Sequence, residues 1–341
     1  MFRVWASLDI NAPLSDIADH ARRAEAMGFE GVMAPDVMSD GFLVAQAAIC
    51  ATQRIRVATS ALVCFPRSPM TTAVATWNLQ ALSGGRFHLG LGPLVRGNII
   101  GKYSTPWTPP APRMREYVQS LRAIFDCWQN GAPLDYRGEL YQFTRQQEFV
   151  KPPPIEHPEI PIHLAAIGPN MTAVVGELGD ALIAHPTNTS PQFLEQVTRP
   201  RLAVGAKRTG RDPSEIALFA NPMIASGRDE KAVAELREHH RELMAILFST
   251  PSYWPSLDFY GWRERGEFLH GLVRENRWSD MTAVMTDEMM DVMIPCATYA
   301  ELGTRLREWY GDSADALTLA LPEDPADDDA LASVVADLRR D

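Results

Sequence analysis

The feature that most constrains the fold is a regular alternation of short apolar runs with helix-like segments along all 341 residues. The first unit shows the pattern. FRVWASL (2–8) has the apolar and aromatic character of a buried strand, and the apolar residues of 13–27 then recur at helical spacing. Gly28 follows as a helix C-cap residue, and GVMAP (31–35) begins the next apolar run. This arrangement predicts a strand, a helix and a second strand in a βα unit.

Similar units continue to the end of the chain. The predicted strands are 2–8, 31–35, 55–63, 86–91, 161–166, 181–185, 216–225 and 316–321. The predicted helices are 13–27, 42–52, 69–83, 112–129, 169–178, 191–208, a stretch from 228, and 326–339. Eight strands alternating with helices predict an α/β fold of the closed (β/α)8 type, a TIM barrel; a doubly wound open sheet of similar size is the alternative.

Two segments depart from this alternation. Residues 136–150 (YRGELYQFTRQQEFV) indicate a hairpin excursion between strands 4 and 5, and the proline-rich segment 151–161 that follows is typical of a loop. The stretch from about 250 to 297 holds three tryptophans and five methionines, which is too much for a tight βα connection. We therefore predict one barrel domain over 1–341, with a helical insertion at about 250–297 near strand 7.

Charge and cysteine content narrow the classes of function. Lys and Arg total 32 against 43 Asp and Glu, a net charge of −11, which argues against nucleic acid or a membrane surface as partner. The four cysteines are far apart and lack metal-ligand spacing, so neither a metal site nor a disulfide framework is predicted. With no export signal or membrane span evident, we expect a cytoplasmic protein with a small-molecule substrate.

Polar residues at the carboxyl ends of barrel strands are the first catalytic candidates, because active sites of this fold lie there. Asp36 follows strand 2 and His185 ends strand 6. We expect both to face one cavity from adjacent sectors of the rim, with His185 as a proton donor or acceptor. The alternatives are that Asp36 caps a short turn and that His185 makes a structural hydrogen bond.

Two further features indicate anion binding. Gly168 and Pro169 lead from strand 5 directly into a helix, whose free amides can bind phosphate; the alternative is an ordinary helix start. Five cations lie in or beside loops 3 and 4 and can steer a polyanionic ligand, unless they form an ordinary solvated rim: Arg67, Arg96, Lys102, Arg113 and Arg115. The lack of a glycine-rich dinucleotide motif after strand 1, and of a P-loop, disfavours a Rossmann dehydrogenase or a kinase.

Four segments carry a family resemblance: AEAMGFEGVMAPD (24–36), RIRVATSALVCFPRSPMTTAVATWNLQALSGGRFHLGLG (54–92), APRMREYVQSLRAIFDCW (111–128) and PIHLAAIGPNMTAVVGELGDALIAHP (161–186). Taken together, they resemble the luciferase-like monooxygenase superfamily, in particular its actinobacterial F420-dependent oxidoreductases. The resemblance implies a (β/α)8 barrel, usually a homodimer, that binds a flavin or deazaflavin at the carboxyl-end mouth.

The resemblance also implies site residues. It places a non-proline cis peptide between Ser60 and Ala61 behind the middle ring of the cofactor. It puts Asp36 near that ring. The other positions that match cofactor contacts are Gly92 and Arg96, beside the ring or its side chain, and Ala165, Ala166, Gly168 and Pro169, along the ribityl phosphate.

Two positions depart from the glucose-6-phosphate dehydrogenase branch of that family. Val37 stands where that branch has a catalytic histidine, and Pro93 stands where it has a glutamate. Sugar-phosphate chemistry therefore does not carry over. The leading hypothesis is an F420-dependent oxidoreductase that moves a hydride between cofactor C5 and a small organic substrate. The alternatives are an FMN-dependent two-component monooxygenase and a non-catalytic flavin-binding sensor or carrier; the cationic loops favour F420, whose tail carries several carboxylates.

Overall fold

A computed structural model describes residues 2–340. Its strands are β1 Arg3–Ser7, β2 Gly31–Ala34, β3 Arg56–Thr59, β4 Leu62–Val63, β5 Phe87–Gly92, β6 Tyr136–Arg137, β7 Gln142–Phe143, β8 Ile162–Ala166, β9 Ala181–Ala184, β10 Ala217–Ala220, β11 Ala225–Gly227, β12 Cys296–Thr298 and β13 Ala316–Ala320.

The helices surround these strands. They are α1 Ile17–Ala26, α2 Gly41–Ala51, α3 Pro69–Ser83, α4 Arg96–Gly101, α5 Pro110–Asn130, α6 Pro169–Leu178, α7 Pro191–Phe193, α8 Arg199–Thr209, α9 Glu230–Phe248, α10 Pro255–Phe259, α11 Arg263–Arg274, α12 Asp287–Met293, α13 Tyr299–Tyr310 and α14 Asp328–Leu338. No helix in residues 2–340 is both long enough and apolar enough to span a bilayer.

The main sheet closes on itself. Its order is β3–β2–β1–β13–β10–β9–β8–β5, and β5 returns to pair with β3, every pair being parallel. The short strand β4 resumes the path of β3 and also pairs with β5. The prediction of a closed (β/α)8 barrel is confirmed, and the open-sheet alternative is wrong.

Large rings fill the amino-terminal end of the barrel interior. Trp5 packs edge-on against Phe219, with ring centroids 5.5 Å apart, and its ring is tilted against that of His88 at the same separation. His88 Nδ1 and His163 Nε2 are 3.1 Å apart and share a hydrogen bond. Gly31 makes room for Trp5, because a side chain there would overlap the indole ring. We call these five residues the base layer.

The hairpin excursion is present but smaller than predicted. β6 and β7 pair antiparallel, with Tyr136 opposite Phe143, between the fourth and fifth barrel strands. Residues 148–150 form a short 3-10 turn and not part of the hairpin.

The predicted seventh strand, 216–225, is wrong in extent because it contains two strands. β10 ends at Ala220, and β11 begins at Ala225 in a separate parallel pair with β12. Pro222 lies between them and has no N–H to donate to a ladder. The barrel strand therefore stops before the proline.

The insertion starts earlier than the predicted residue 250. β11 and β12 bound it, and α9 to α12 lie between these two strands. Residues of α9 belong to the same buried cluster as the methionines of 281–293, which shows that α9 is part of the inserted unit. α13 then supplies the helix before strand β13, and it was not predicted from the sequence. We call residues 225–298 the inserted unit.

Candidate active site

We call the end of the barrel where the carboxyl ends of the strands meet the mouth. The third barrel strand is interrupted there. β3 ends at Thr59, β4 starts at Leu62, and the peptide bond between Ser60 and Ala61 is cis, as the resemblance implies. The Thr59 hydroxyl donates to the Gly90 carbonyl at 2.8 Å, and the Gly90 N–H donates to the Thr59 hydroxyl at 2.9 Å. These bonds fix the strand end below the break.

Three small residues meet next to this break: Ala61, between β3 and β4, Gly92 of β5 and Ala165 of β8. A Cβ atom built on Gly92 would lie 3.1 Å from the Ala61 Cβ and 3.7 Å from the Ala165 Cβ. The register of β5 with β8 places Leu91 beside Leu164 and so brings Gly92 to Ala165. We call Ala61, Gly92 and Ala165 the mouth floor. Because these three residues carry at most a methyl group, their surface would fit the flat face of an isoalloxazine-like ring.

Helix α6 starts just after the carboxyl end of β8. Gly168 is the extended N-cap residue, with φ −77° and ψ 159°, and Pro169 is the first helical residue. No atom lies within 4 Å of the position that a Gly168 Cβ would occupy. The free first-turn amides and the open approach over Gly168 fit a phosphate group. Ala166, next to Ala165, is only 8% exposed and offers little surface.

The carboxylate of Asp36 is occupied by its own protein. One oxygen accepts from the Gly41 N–H at 2.7 Å, the other from the Val63 N–H at 2.8 Å, and the Arg67 guanidinium lies 3.4 Å away. The side chain is 5% exposed. This arrangement ties the start of α2 to β4, so the geometry favours a positioning role; a catalytic role of Asp36 stays a prediction.

His185 lies directly after β9 with one ring nitrogen engaged. Its Nδ1 is 2.8 Å from the Thr187 hydroxyl and accepts from the Thr187 N–H at 3.3 Å. The proton of the neutral ring therefore lies on Nε2, which has no hydrogen-bond partner within residues 2–340. Burial lowers the pKa of His185 to about 4. At neutral pH the side chain is an uncharged hydrogen-bond donor.

Asp36 and His185 do not lie in adjacent sectors of the rim, contrary to expectation. β2 and β9 are four places apart in a closed sheet of eight parallel strands, as the described residues show. They therefore stand on opposite sides of the mouth. The sequence order of the units could not reveal this, since it depends on barrel closure.

The cationic loops are less available than their number suggests. Arg67 pairs with Asp36 and with Asp40, the latter at 3.0 Å. Arg113 donates to the Tyr141 hydroxyl and the Phe65 carbonyl, both at 2.8 Å. Arg115 makes two hydrogen bonds to the Glu177 carboxylate. Arg67 and Arg115 are therefore ion-paired within the protein, and Arg113 is held by uncharged oxygens; that the five cations steer a polyanionic ligand stays a prediction.

Arg96 and Lys102 are the exposed members of the set. They lie at the two ends of the short helix α4, which the sequence did not predict. Leu94 and Ser104, on either side of it, have left-handed backbones with φ of 56° and 50°. Such a conformation is uncommon outside glycine and often marks a functional segment.

Sequence reasoning missed Tyr253, which belongs to the inserted unit. Its ring stacks on the His185 imidazole, with centroids 4.2 Å apart and an interplanar angle of 12°. The aromatic content of 250–297 was the available signal, but no local pattern indicates which ring reaches the mouth.

Comparison with known proteins identifies the class. The model of the luciferase-like monooxygenase family matches residues 1–316. The chain therefore belongs to this family of enzymes, as the resemblance indicated.

Particular relatives refine the picture. An uncharacterized protein of Mycobacterium tuberculosis, Rv1360, is 36% identical over 277 residues, covering 81% of each chain. The putative coenzyme F420-dependent oxidoreductase Rv3520c of the same organism is 28% identical over 299 residues, covering 82% of this chain and 83% of the relative. The coenzyme F420-dependent tetrahydromethanopterin reductase of Methanopyrus kandleri superposes with a TM-score of 0.82, at 20% identity and 98% coverage of both chains. That structural likeness shows the fold.

Proposed function

We propose that this protein is an F420-dependent oxidoreductase that transfers a hydride between cofactor C5 and a small organic substrate. The observation that carries the proposal is the mouth floor, where the small residues Ala61, Gly92 and Ala165 meet at the strand carboxyl ends. The relatives named as F420-dependent support the choice of cofactor. When bound, the deazaflavin supplies or accepts the hydride.

The residues of the mouth divide the work of holding this cofactor. Ala61, Gly92 and Ala165 would lie against the ring, and the amides at the start of α6 beyond Gly168 and Pro169 would bind the phosphate. Ser60 supplies the other half of the cis peptide. Arg96, exposed at the start of α4, would attract the acidic tail.

His185 is our candidate for the group that touches substrate. Because its Nδ1 is an acceptor for Thr187, its Nε2–H can donate to a substrate oxygen. Its lowered pKa keeps the ring uncharged at neutral pH, so it would orient a substrate oxygen as a neutral hydrogen-bond donor.

Asp36 supports the site from behind. Its carboxylate joins the N–H groups of Gly41 and Val63 and pairs with Arg67. The strand segment that it holds starts immediately after Ala61. We propose that Asp36 is a positioning residue for the mouth floor. It would affect turnover by holding that floor in place.

The second candidate is an FMN-dependent two-component monooxygenase. The family itself is described by its monooxygenases. The structure also removes part of the reason to prefer the acidic-tailed cofactor, because Arg67 and Arg115 are ion-paired within the protein. The small mouth floor would accommodate either ring.

A cofactor titration tests the proposal. The full chain, freed of bound cofactor, is titrated separately with F420 and with FMN, and fluorescence quenching gives each dissociation constant. We expect F420 to bind at least about tenfold more tightly, a difference of about 1.4 kcal/mol. Tighter FMN binding, with oxygen consumption on supply of reduced FMN, would favour the monooxygenase. Binding of either cofactor without turnover across a broad substrate panel would favour the sensor or carrier.

A homodimer also remains a prediction, which light scattering would test.

A further inference from the structure

The inserted unit is attached to the barrel mouth at the loop that follows β9. The Ser256 N–H donates to the Asn188 side-chain oxygen at 3.1 Å, and the Ser256 hydroxyl donates to the Thr187 carbonyl at 2.5 Å. The Asn188 side-chain amide lies 3.5 Å from the Tyr253 carbonyl. Thr187, Asn188 and Ser256 are all buried. These contacts hold Tyr253 in place beside the strand end.

The rings of Tyr253 and His185 are nearly parallel across this junction. Their centroids are 4.2 Å apart, so the tyrosine covers one face of the imidazole. Thr187 occupies Nδ1 of the same imidazole. The Nε2 edge remains the donor that the pair can offer. Within residues 2–340 the Tyr253 hydroxyl also has no hydrogen-bond partner, and its ring is half-buried.

We propose that His185 and Tyr253 together form the wall of the substrate pocket, and that this wall selects a small uncharged molecule whose carbonyl or hydroxyl oxygen accepts the His185 Nε2–H. The inference deepens the proposed function and rests on it for the identity of the site. A carboxylate would lose its hydration beside a neutral donor that offers it no opposite charge, whereas a neutral oxygen acceptor has less hydration to lose. An apolar body beside the oxygen would pack against the Tyr253 ring.

The residues that hold this wall in place have different roles. Tyr253 is a specificity-determining residue because it belongs to the inserted unit and contacts His185 directly. Asn188 is a positioning residue, since it acts by holding the segment that carries Tyr253 and Ser256.

The test uses two probes of similar shape, cyclohexanone and cyclohexanecarboxylate, on the full chain labelled with ¹⁵N-histidine. Nitrogen-detected spectra report the His185 imidazole directly, with and without F420, and His185→Asn assigns its signals. We expect cyclohexanone to shift the Nε2 signal and cyclohexanecarboxylate to bind about tenfold more weakly. Tyr253→Ala should weaken cyclohexanone about 5- to 10-fold through loss of the stacked ring. Tyr253→Phe keeps the ring and should restore binding to within about twofold.

Tyr136→Ala is the matched control, because the Tyr136 hydroxyl hydrogen-bonds to Gln119 of α5 and not to His185 or Tyr253, so the variant should change neither probe. All variants should bind F420 as the parent protein does. Tighter binding of the carboxylate, an unmoved Nε2 signal at saturation, or a Tyr253→Ala variant with parental affinity would overturn the wall. If the parent fails to bind F420 while cyclohexanone still shifts His185, the wall stands and the proposed oxidoreductase fails.

Discussion

The two ends of the barrel interior are built from opposite kinds of side chain. At the base layer, Trp5, His88, His163 and Phe219 fill the interior with rings that are in contact. At the mouth floor, alanine and glycine leave the strand ends bare. The difference teaches that this chain concentrates packing where no ligand is needed and withholds side chains where one is expected, as barrels of this fold do.

Acid should give the largest effect, through the two histidines of the base layer and through His185 at the mouth. Burial lowers the pKa of His88 to about 3 and that of His163 well below its ordinary value, and His185 falls to about 4. In the unfolded chain these imidazoles take up protons below pH ~6.5 while the folded protein does not. Stability is therefore complete above that pH and falls as the pH drops toward 4. Each histidine costs up to about 1.4 kcal/mol per pH unit.

Urea unfolding between pH 7 and 5 measures this slope before the carboxylates titrate. His185→Gln should make the slope shallower by about one proton. His239→Gln is the control, because His239 is exposed. An unchanged slope in the His185 variant would place its imidazole in water.

Removing one ring from the base layer should come next in size. Phe219→Ala leaves a cavity beside Trp5 and should lower the free energy of unfolding by about 3–5 kcal/mol. F420 affinity should stay within about twofold where the variant is folded, since the mouth floor is intact. Phe149→Ala, at a position that is 83% exposed, should leave stability unchanged in the same urea experiment. Loss of cofactor binding in folded Phe219→Ala would show that the two ends are coupled.

Equal substitutions at two glycines sharpen the comparison. Gly31→Ala forces a methyl group against the buried Trp5 ring and should destabilise the protein by about 1–3 kcal/mol. Gly92→Ala meets the Ala61 Cβ at 3.1 Å and should be destabilising by under about 1 kcal/mol. The methyl group would nevertheless stand on the mouth floor, so F420 should bind about tenfold more weakly. Thermal melts and fluorescence titrations measure the two effects; parental F420 affinity in Gly92→Ala would move the cofactor elsewhere.

The smallest expected effect concerns the exposed cations of α4. Replacing Arg96 and Lys102 by Gln should weaken F420 binding a few-fold at low salt, and the loss should fade at physiological ionic strength, where charges are screened beyond ~8 Å. FMN affinity should change less. Lys231→Gln is the control, because Lys231 is exposed on α9. Titrations of both cofactors at two salt concentrations decide; an equal salt dependence for both would remove α4 from the tail site.

Local patterns were enough to predict the barrel, because the apolar spacing of neighbouring residues indicates each buried strand and each amphipathic helix. The same information predicted IALFANPMIA (216–225) as one strand, although β10 ends before Pro222 and Ala225 pairs with Cys296. That pairing joins residues far apart in sequence. The short helix α4 lacked a long apolar period and was also missed.

The site was harder to predict because its chemistry depends on distant partners. Asp36 was recognised as a strand-end acid, yet its acceptor capacity is used by amides of Gly41 and Val63. The sequence suggested that Arg115 could bind an anionic ligand, but Arg115 hydrogen-bonds to the Glu177 carboxylate. The family resemblance indicated the residues of the mouth floor. No pattern near His185 predicts its contact with Tyr253, which lies 68 positions later in the sequence.

The parallel pairing of β11 with β12 makes the inserted unit resemble an exchangeable cassette. Ala225–Gly227 leaves the barrel beside the point where Cys296–Thr298 returns, so barrel closure does not depend on the length between them. The enclosed helices also have their own buried cluster. Residues 228–295 can therefore be replaced as a block, which would change the ring that meets His185 and leave the pairing of the eight barrel strands intact.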